Sequence, residues 1–155
     1  MVSFSIEQGN EHAAEQASEK IEVIPFDTFD LSCQQRKDFD FQAVAEYMER
    51  LEGGDEPPPA VAFRDEDGTL YLSSGFHRRL ALRKAKRAGL PTIIRPGGRW
   101  DALVFGVQAN ADHGVRLSRA DKRVAARKLL MERPTLSNAE IARQAYISDK
   151  TVAAI

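Results

Sequence analysis

The sequence holds a single cysteine, Cys33, so no disulfide can form within the chain and a reducing compartment fits it. No apolar run approaches the roughly 18 residues a membrane-spanning helix requires. Residues 1–20 are polar and acidic and lack a basic start and an apolar centre, which argues against a secretory signal. What remains is ordinary for a globular protein: 155 residues, 43% hydrophobic and 29% charged, enough for one compact domain or two small modules.

The net charge of −1 hides an uneven distribution. Residues 1–70 carry 5 Lys/Arg against 17 Asp/Glu, residues 71–116 carry 9 against 2, and residues 117–155 carry 8 against 4. A basic second half suits a polyanionic partner, and an acidic first half limits non-specific association. Neutralisation of one half by the other across the fold accounts for the same pattern.

Residues 1–19 contain few large apolar side chains and read as a flexible acidic tail, with a frayed helix conceivable over 11–20. Ile21–Ile24 alternates and halts at Pro25, as a first strand does. A loop over 26–38 follows. Phe41, Val44, Ala45, Met48 and Leu51 recur at helical spacing, with Asp40 as N-cap and Gly53-Gly54 as the stop. Val61–Phe63 and Thr69–Leu72 read as a hairpin around Asp65-Glu66-Asp67-Gly68. A further strand is expected at Thr92–Arg95, after stop signals at Gly89 and Pro91. A helix is expected from Arg99 to about Ala111, with His113 capping its end.

Between the hairpin and that strand lies the stretch Ser73-Ser74-Gly75-Phe76-His77-Arg78-Arg79. A strand that ends in Ser-Ser-Gly and opens a helix leaves free backbone N–H groups at a positive dipole end, which suits a phosphate. The helix is expected over Arg78–Arg87, with Ala81, Ala85 and Ala88 on one side and Arg79, Arg83, Lys86 and Arg87 on the other. Arg78 falls nearer the apolar side. The charged face can cover the acidic half or touch a nucleic-acid backbone.

Ser118 opens another helix with Asp121 three residues on, and Ser137-Asn138-Ala139-Glu140 is a full capping box. Ile141, Ala142, Ile147 and Val152 fit the packing positions of a helix-turn-helix. Tyr146 stands where its turn usually has glycine. The second helix is cut short at Ile155, so a longer natural chain is expected.

Gly75-Phe76-His77-Arg78 followed by Ala81 resembles the box of the ParB/sulfiredoxin superfamily, in which ParB proteins carry Gly-Glu-Arg-Arg and sulfiredoxins Gly-Cys-His-Arg. The resemblance continues through Ala109-Asn110-Ala111-Asp112-His113-Gly114 and Leu117–Arg123 into the helix-turn-helix. It implies an α+β fold, a small mixed sheet with flanking helices over 20–97, followed by an all-α helix-turn-helix part over 98–155. It implies a nucleoside triphosphate, CTP or ATP, with or without magnesium, held by Ser74, Gly75, His77, Arg78 and Arg79 with help from Asn110. The Gln35-Arg36 pair falls near that pocket in ParB-like proteins. Double-stranded DNA is the implied second partner, met by Arg143, Ser148, Lys150 and Thr151 in a cytoplasmic, nucleoid- or plasmid-associated homodimer.

The implied role is partition or transcriptional regulation; a nucleotide hydrolase, a nuclease or an interaction module with a relic pocket are the alternatives. Sulfiredoxin chemistry needs a thiolate in the box, and position 76 is Phe. Phe76 and Ala109 stand where ParB proteins have Glu, so any triphosphate hydrolysis is expected to be slow. Phosphate near His77 would favour its charged form, so binding is expected to strengthen on mild acidification.

Overall fold

A computed structural model describes residues 19–112 and 116–155 of the chain. The expected tail therefore lies outside the described residues apart from Glu19, and so does His113 with its expected capping role.

Four strands form one mixed sheet: β1 (Ile21–Ile24), β2 (Ala60–Arg64), β3 (Leu70–Ser74) and β4 (Leu90–Pro96), in the order β1-β4-β2-β3. β2 pairs antiparallel with β3 and parallel with β4, and β1 closes the far edge antiparallel to β4. The β2–β3 hairpin turns where expected, with Gly68 at φ 86°. A parallel bridge between Asp30 and Tyr71 lays the following loop against the outer side of β3.

β2 is buried on both faces, and its alternation splits the core in two. Ala60 and Ala62, with Leu70 and Leu72 of β3, face a cluster containing Phe29, Leu51, Phe76 and Leu82. That side is covered by α1 (Phe41–Glu52) and α2 (Phe76–Lys84). Val61, Phe63 and Tyr71 face Ala102, Leu103, Ala126, Leu129, Ile141 and Val152. Those residues belong to α3 (Arg99–Asp112), α4 (Arg119–Glu132), α5 (Asn138–Ala145) and α6 (Asp149–Ala153). One apolar cluster thus runs across the boundary expected at residues 97 and 98.

The helix starts obey local rules. The Asp40 carboxylate accepts the N–H groups of Gln42 and Ala43. Ser118–Asp121 and Ser137–Glu140 form reciprocal capping boxes at α4 and α5.

Two expectations give way. α2 begins at Phe76 and ends at Lys84, so Ala85 and Ala88 are exposed, and its buried side is Phe76, His77, Ala81 and Leu82. Arg87 N–H reaches Leu82 O at 3.0 Å and Lys86 N–H reaches Arg83 O at 3.1 Å, with Lys86 left-handed at φ 58°. This is a Schellman ending with lysine where glycine is usual, which the helical period could not reveal. Pro91 is not a stop but lies inside β4, paired with Val23 of the short edge strand β1.

The candidate nucleotide pocket and the candidate DNA-binding face

The turn between β3 and α2 depends on Gly75. Its φ is 101°, and an added Cβ would lie 2.6 Å from the Cβ of Ala60. Only glycine fits such a left-handed crossing of a neighbouring strand. No side chain caps the start of α2, so no side chain occupies the backbone N–H groups of its first turn.

That space is a cavity of about 420 Å³, within the range of roughly 300–1,000 Å³ usual for small-molecule sites. Ser74–Arg78 form one wall, and Phe105, Ala109 and Asn110 of α3 form another. Gln34 and Arg36 come from the loop after β1, and Tyr47 and Pro58 close the side beneath α1. Of the six residues expected at the nucleotide, the structure brings five to this cavity: Ser74, Gly75, His77, Arg78 and Asn110.

Arg79 is the exception. It turns to the other side of α2, where its Nε donates to Phe26 O at 2.9 Å and its guanidinium lies 3.7 Å from Asp27. Consecutive residues of a helix point about 100° apart, so Arg78 and Arg79 cannot share one ligand in this geometry.

Arg78 donates from Nη1 to the carbonyls of Pro58 (2.8 Å) and Pro59 (2.9 Å). Burial pushes its pKa below the ordinary arginine value, with Tyr47 acting in the opposite sense. No carboxylate pairs with it among the described residues. A desolvated cation without a counter-ion, set at a helix start, attracts an anion.

His77 plays a different part from the one its position suggests. Its Nε2 accepts the backbone N–H of Asp40 at 3.1 Å, and Phe39 stands edge-on to its ring at 5.5 Å. Burial, together with the charges of Arg36 and Arg78, holds its pKa below the usual histidine value against the pull of Asp40. The expected gain of binding on acidification does not suit this geometry, because protonation would break the bond to Asp40.

The loop after β1, in which only the Gln35-Arg36 pair is expected near the pocket, builds the remaining wall. Cys33 is fully buried, and burial pushes its thiol up to about 11, so it packs rather than reacts. Gln35 is 1% exposed; its amide donates to Leu103 O at 3.3 Å and accepts from Asn110 Nδ2 at 3.0 Å. Gly106 makes room for it, since a Cβ there would overlap the Gln35 amide and fall 2.5 Å from Ser73 O. A glycine in mid-helix was the available sequence signal for this contact.

Arg36 donates from Nη2 to Asn110 Oδ1 at 3.2 Å and lies 3.9 Å from the Asp121 carboxylate. Burial raises the Asp121 pKa, but hydrogen bonds from Lys37 and Ser118 and the Arg36 charge bring it below its usual value. Lys128 donates to Ser32 O and Gln34 O, fastening the same loop to α4. Gln34 lines the cavity, and its Nε2, sealed from solvent behind that wall, is the one buried side-chain donor left without a partner among the described residues. Such a vacancy costs about 1–3 kcal/mol unless something outside the chain fills it.

Magnesium does not fit these walls. Among the described residues no aspartate or glutamate lines the cavity, and no group of three or more His, Cys, Asp or Glu could hold a metal ion. An anion fits them.

In the helical part, α5 and α6 pack through Ile141, Ala142, Ala145 and Val152, joined at Tyr146, which takes φ 57° and ψ 43°. The turn is therefore kept without glycine, with the strain carried by tyrosine. Arg143 and Lys150 are exposed. Ser148 and Thr151 are engaged with each other: the Ser148 hydroxyl accepts the Thr151 N–H and lies 2.8 Å from its hydroxyl. No helix among the described residues is long and apolar enough to cross a membrane.

No family model matches this chain. It is 29% identical over 104 residues, 67% of its length, to "Transcriptional regulator NovG" of Streptomyces niveus, covering 32% of that protein. It is 36% identical over 87 residues, 54% of its length, to "Streptomycin biosynthesis operon possible regulatory protein" of Streptomyces griseus, covering 24% of it. The chain thus spans about a third and a quarter of the curated relatives it matches. Among solved structures it resembles the C-terminally truncated chromosome-partitioning protein ParB of Caulobacter crescentus. With CTP-gamma-S bound, that protein matches at TM-score 0.53 and 19% identity, over 86% of this chain and 75% of the other. Complexed to the centromeric parS site, it matches at TM-score 0.50 and 19% identity, over 85% and 68%. With its mixed four-stranded sheet, its glycine turn beside a cavity and the helices that follow, the chain has a ParB-like fold.

Proposed function

We propose that this chain is a nucleotide-responsive DNA-binding module that acts in transcriptional regulation. The observation that carries the reading is Arg78, a half-buried guanidinium without an acidic partner among the described residues, opening onto a cavity at an uncapped helix start. The ligand in this reading is a nucleoside triphosphate. Ser74, Gly75 and Arg78 receive its phosphates, Asn110 borders it, and His77 holds the wall in place. The CTP analogue of the ParB neighbour supports this ligand class, and the regulatory names of the Streptomyces relatives favour regulation over partition.

DNA is met by the second module. Arg143 contacts the backbone, Lys150 reaches a phosphate or base edge, and Ser148 and Thr151 shape the start of α6. The parS complex of the neighbour supports a duplex partner, and a homodimer in the cytoplasm suits a paired DNA site. Turnover is slow or absent, because among the described residues no carboxylate stands in the cavity to orient a water or a metal.

Calorimetric titration with each of the four ribonucleoside triphosphates tests the reading. One of them binds, and Arg78→Ala weakens it by roughly ten- to a hundredfold, the loss of one charge-assisted contact. Absence of binding by all four, or unchanged affinity in the variant, refutes it.

A further inference from the structure

The polar atoms around the cavity are unequal in kind. Among the described residues its charged side chains, Arg36, Arg78 and His77, are all potential cations, and none is an acid. The side-chain oxygen of Asn110, a natural place for a hard cation, already accepts from Arg36 Nη2 at 3.2 Å. Gln34 Oε1 accepts the Arg36 backbone N–H at 3.2 Å, which leaves Gln34 Nε2 as a buried donor without a partner. Backbone N–H groups at the start of α2 add further donors. Walls of this kind match a ligand made of acceptors and repel a divalent ion.

We infer that the cavity takes its anionic ligand without a divalent cation, with Arg36 and Arg78 meeting the charge and Gln34 Nε2 donating to a ligand oxygen. The inference rests on the nucleotide reading above and goes beyond it. Arg36 brings a fixed positive charge to the cavity wall, where it is steadied by Asn110 and Asp121. Gln34 is a specificity-determining residue in this account. Its donor is satisfied only when an acceptor such as a phosphate oxygen or a base carbonyl is present, so a ligand lacking one leaves the donor unpaired.

The test uses the whole chain, titrated with each of the four ribonucleoside triphosphates in excess EDTA and again in millimolar magnesium at matched ionic strength. The expected affinity of the bound nucleotide differs by less than tenfold between the two buffers. A loss of tenfold or more in EDTA overturns the inference and leaves the nucleotide reading standing. Binding in neither buffer sinks the nucleotide reading itself. Gln34→Glu provides the second measurement, since it keeps the oxygen that accepts from Arg36 and replaces the donor with an acceptor. Its metal-free affinity should fall at least tenfold while its melting temperature stays near that of the unaltered chain. Unchanged metal-free affinity in that variant removes Gln34 from the account, and the EDTA comparison on the unaltered chain stands whether or not the variant folds.

Discussion

His77 Nε2 accepts the backbone N–H of Asp40 at 3.1 Å, and Asp40 in turn caps α1. One imidazole thus ties the glycine turn to the helix on the other side of the cavity. The tie exists only while the ring is neutral at Nε2.

Stability should therefore fall on mild acidification. The folded His77 pKa lies below the unfolded value of 6.5, so the unfolded chain binds the proton more readily. The contribution is complete above that value and is lost as pH falls from it toward the folded pKa. Thermal unfolding between pH 7.5 and 5.5 checks this. The unaltered chain should lose more of its melting temperature across that interval than His77→Gln. Equal slopes would show that the imidazole stays neutral for another reason or is not held as described.

Gly106→Ala should destabilise the fold. An alanine in a helix interior normally gains about 1 kcal/mol over glycine. Here the new methyl group would overlap the Gln35 amide and crowd Ser73 O, and overpacking of this kind costs about 1–3 kcal/mol. Urea unfolding gives the sign directly, and a more stable variant would contradict the placement of Gln35.

Tyr146→Gly should stabilise the chain by about 1 kcal/mol, since it relieves a left-handed non-glycine residue. The side chain is about half exposed, so little burial is forfeited. A rise of about 2–4 °C in melting temperature is the expected reading. A fall would mean that the tyrosine ring packs more tightly than its exposure indicates.

Lys150→Ala should weaken DNA binding across sequences and lower the dependence of log affinity on log salt by about one unit, without altering the fold. Lys150 is exposed in the first turn of α6, so its loss touches no core contact. Fluorescence anisotropy over a salt series reads the slope. An unchanged slope would place the phosphate contact elsewhere.

The sequence alone determined what hydrogen bonds spanning a few residues can decide. Asp40, Ser118 with Asp121, and Ser137 with Glu140 start helices because their side chains reach N–H groups two or three residues on. Gly68 turns a hairpin, and the Ser-Ser-Gly stretch opens a helix beside a strand, for equally local reasons. Five of the six residues expected around the nucleotide meet at one cavity because most of them lie on that single turn. Only the tertiary structure decided the rest. The crossing of β4 between β1 and β2 joins residues some seventy positions apart on one side and 32 apart on the other, and leaves no local trace. It allows Pro91 inside a strand, where chain order suggested a boundary. The loop at 26–38 carries no periodic or capping signal of its own, and only resemblance marks Gln35-Arg36, because its partners, Leu103, Asn110 and Asp121, lie far along the chain. Burial and those distant partners make His77 an acceptor and, among the described residues, leave Arg78 without an acid and Gln34 Nε2 without a partner, since desolvation depends on the packed whole and not on neighbours in sequence.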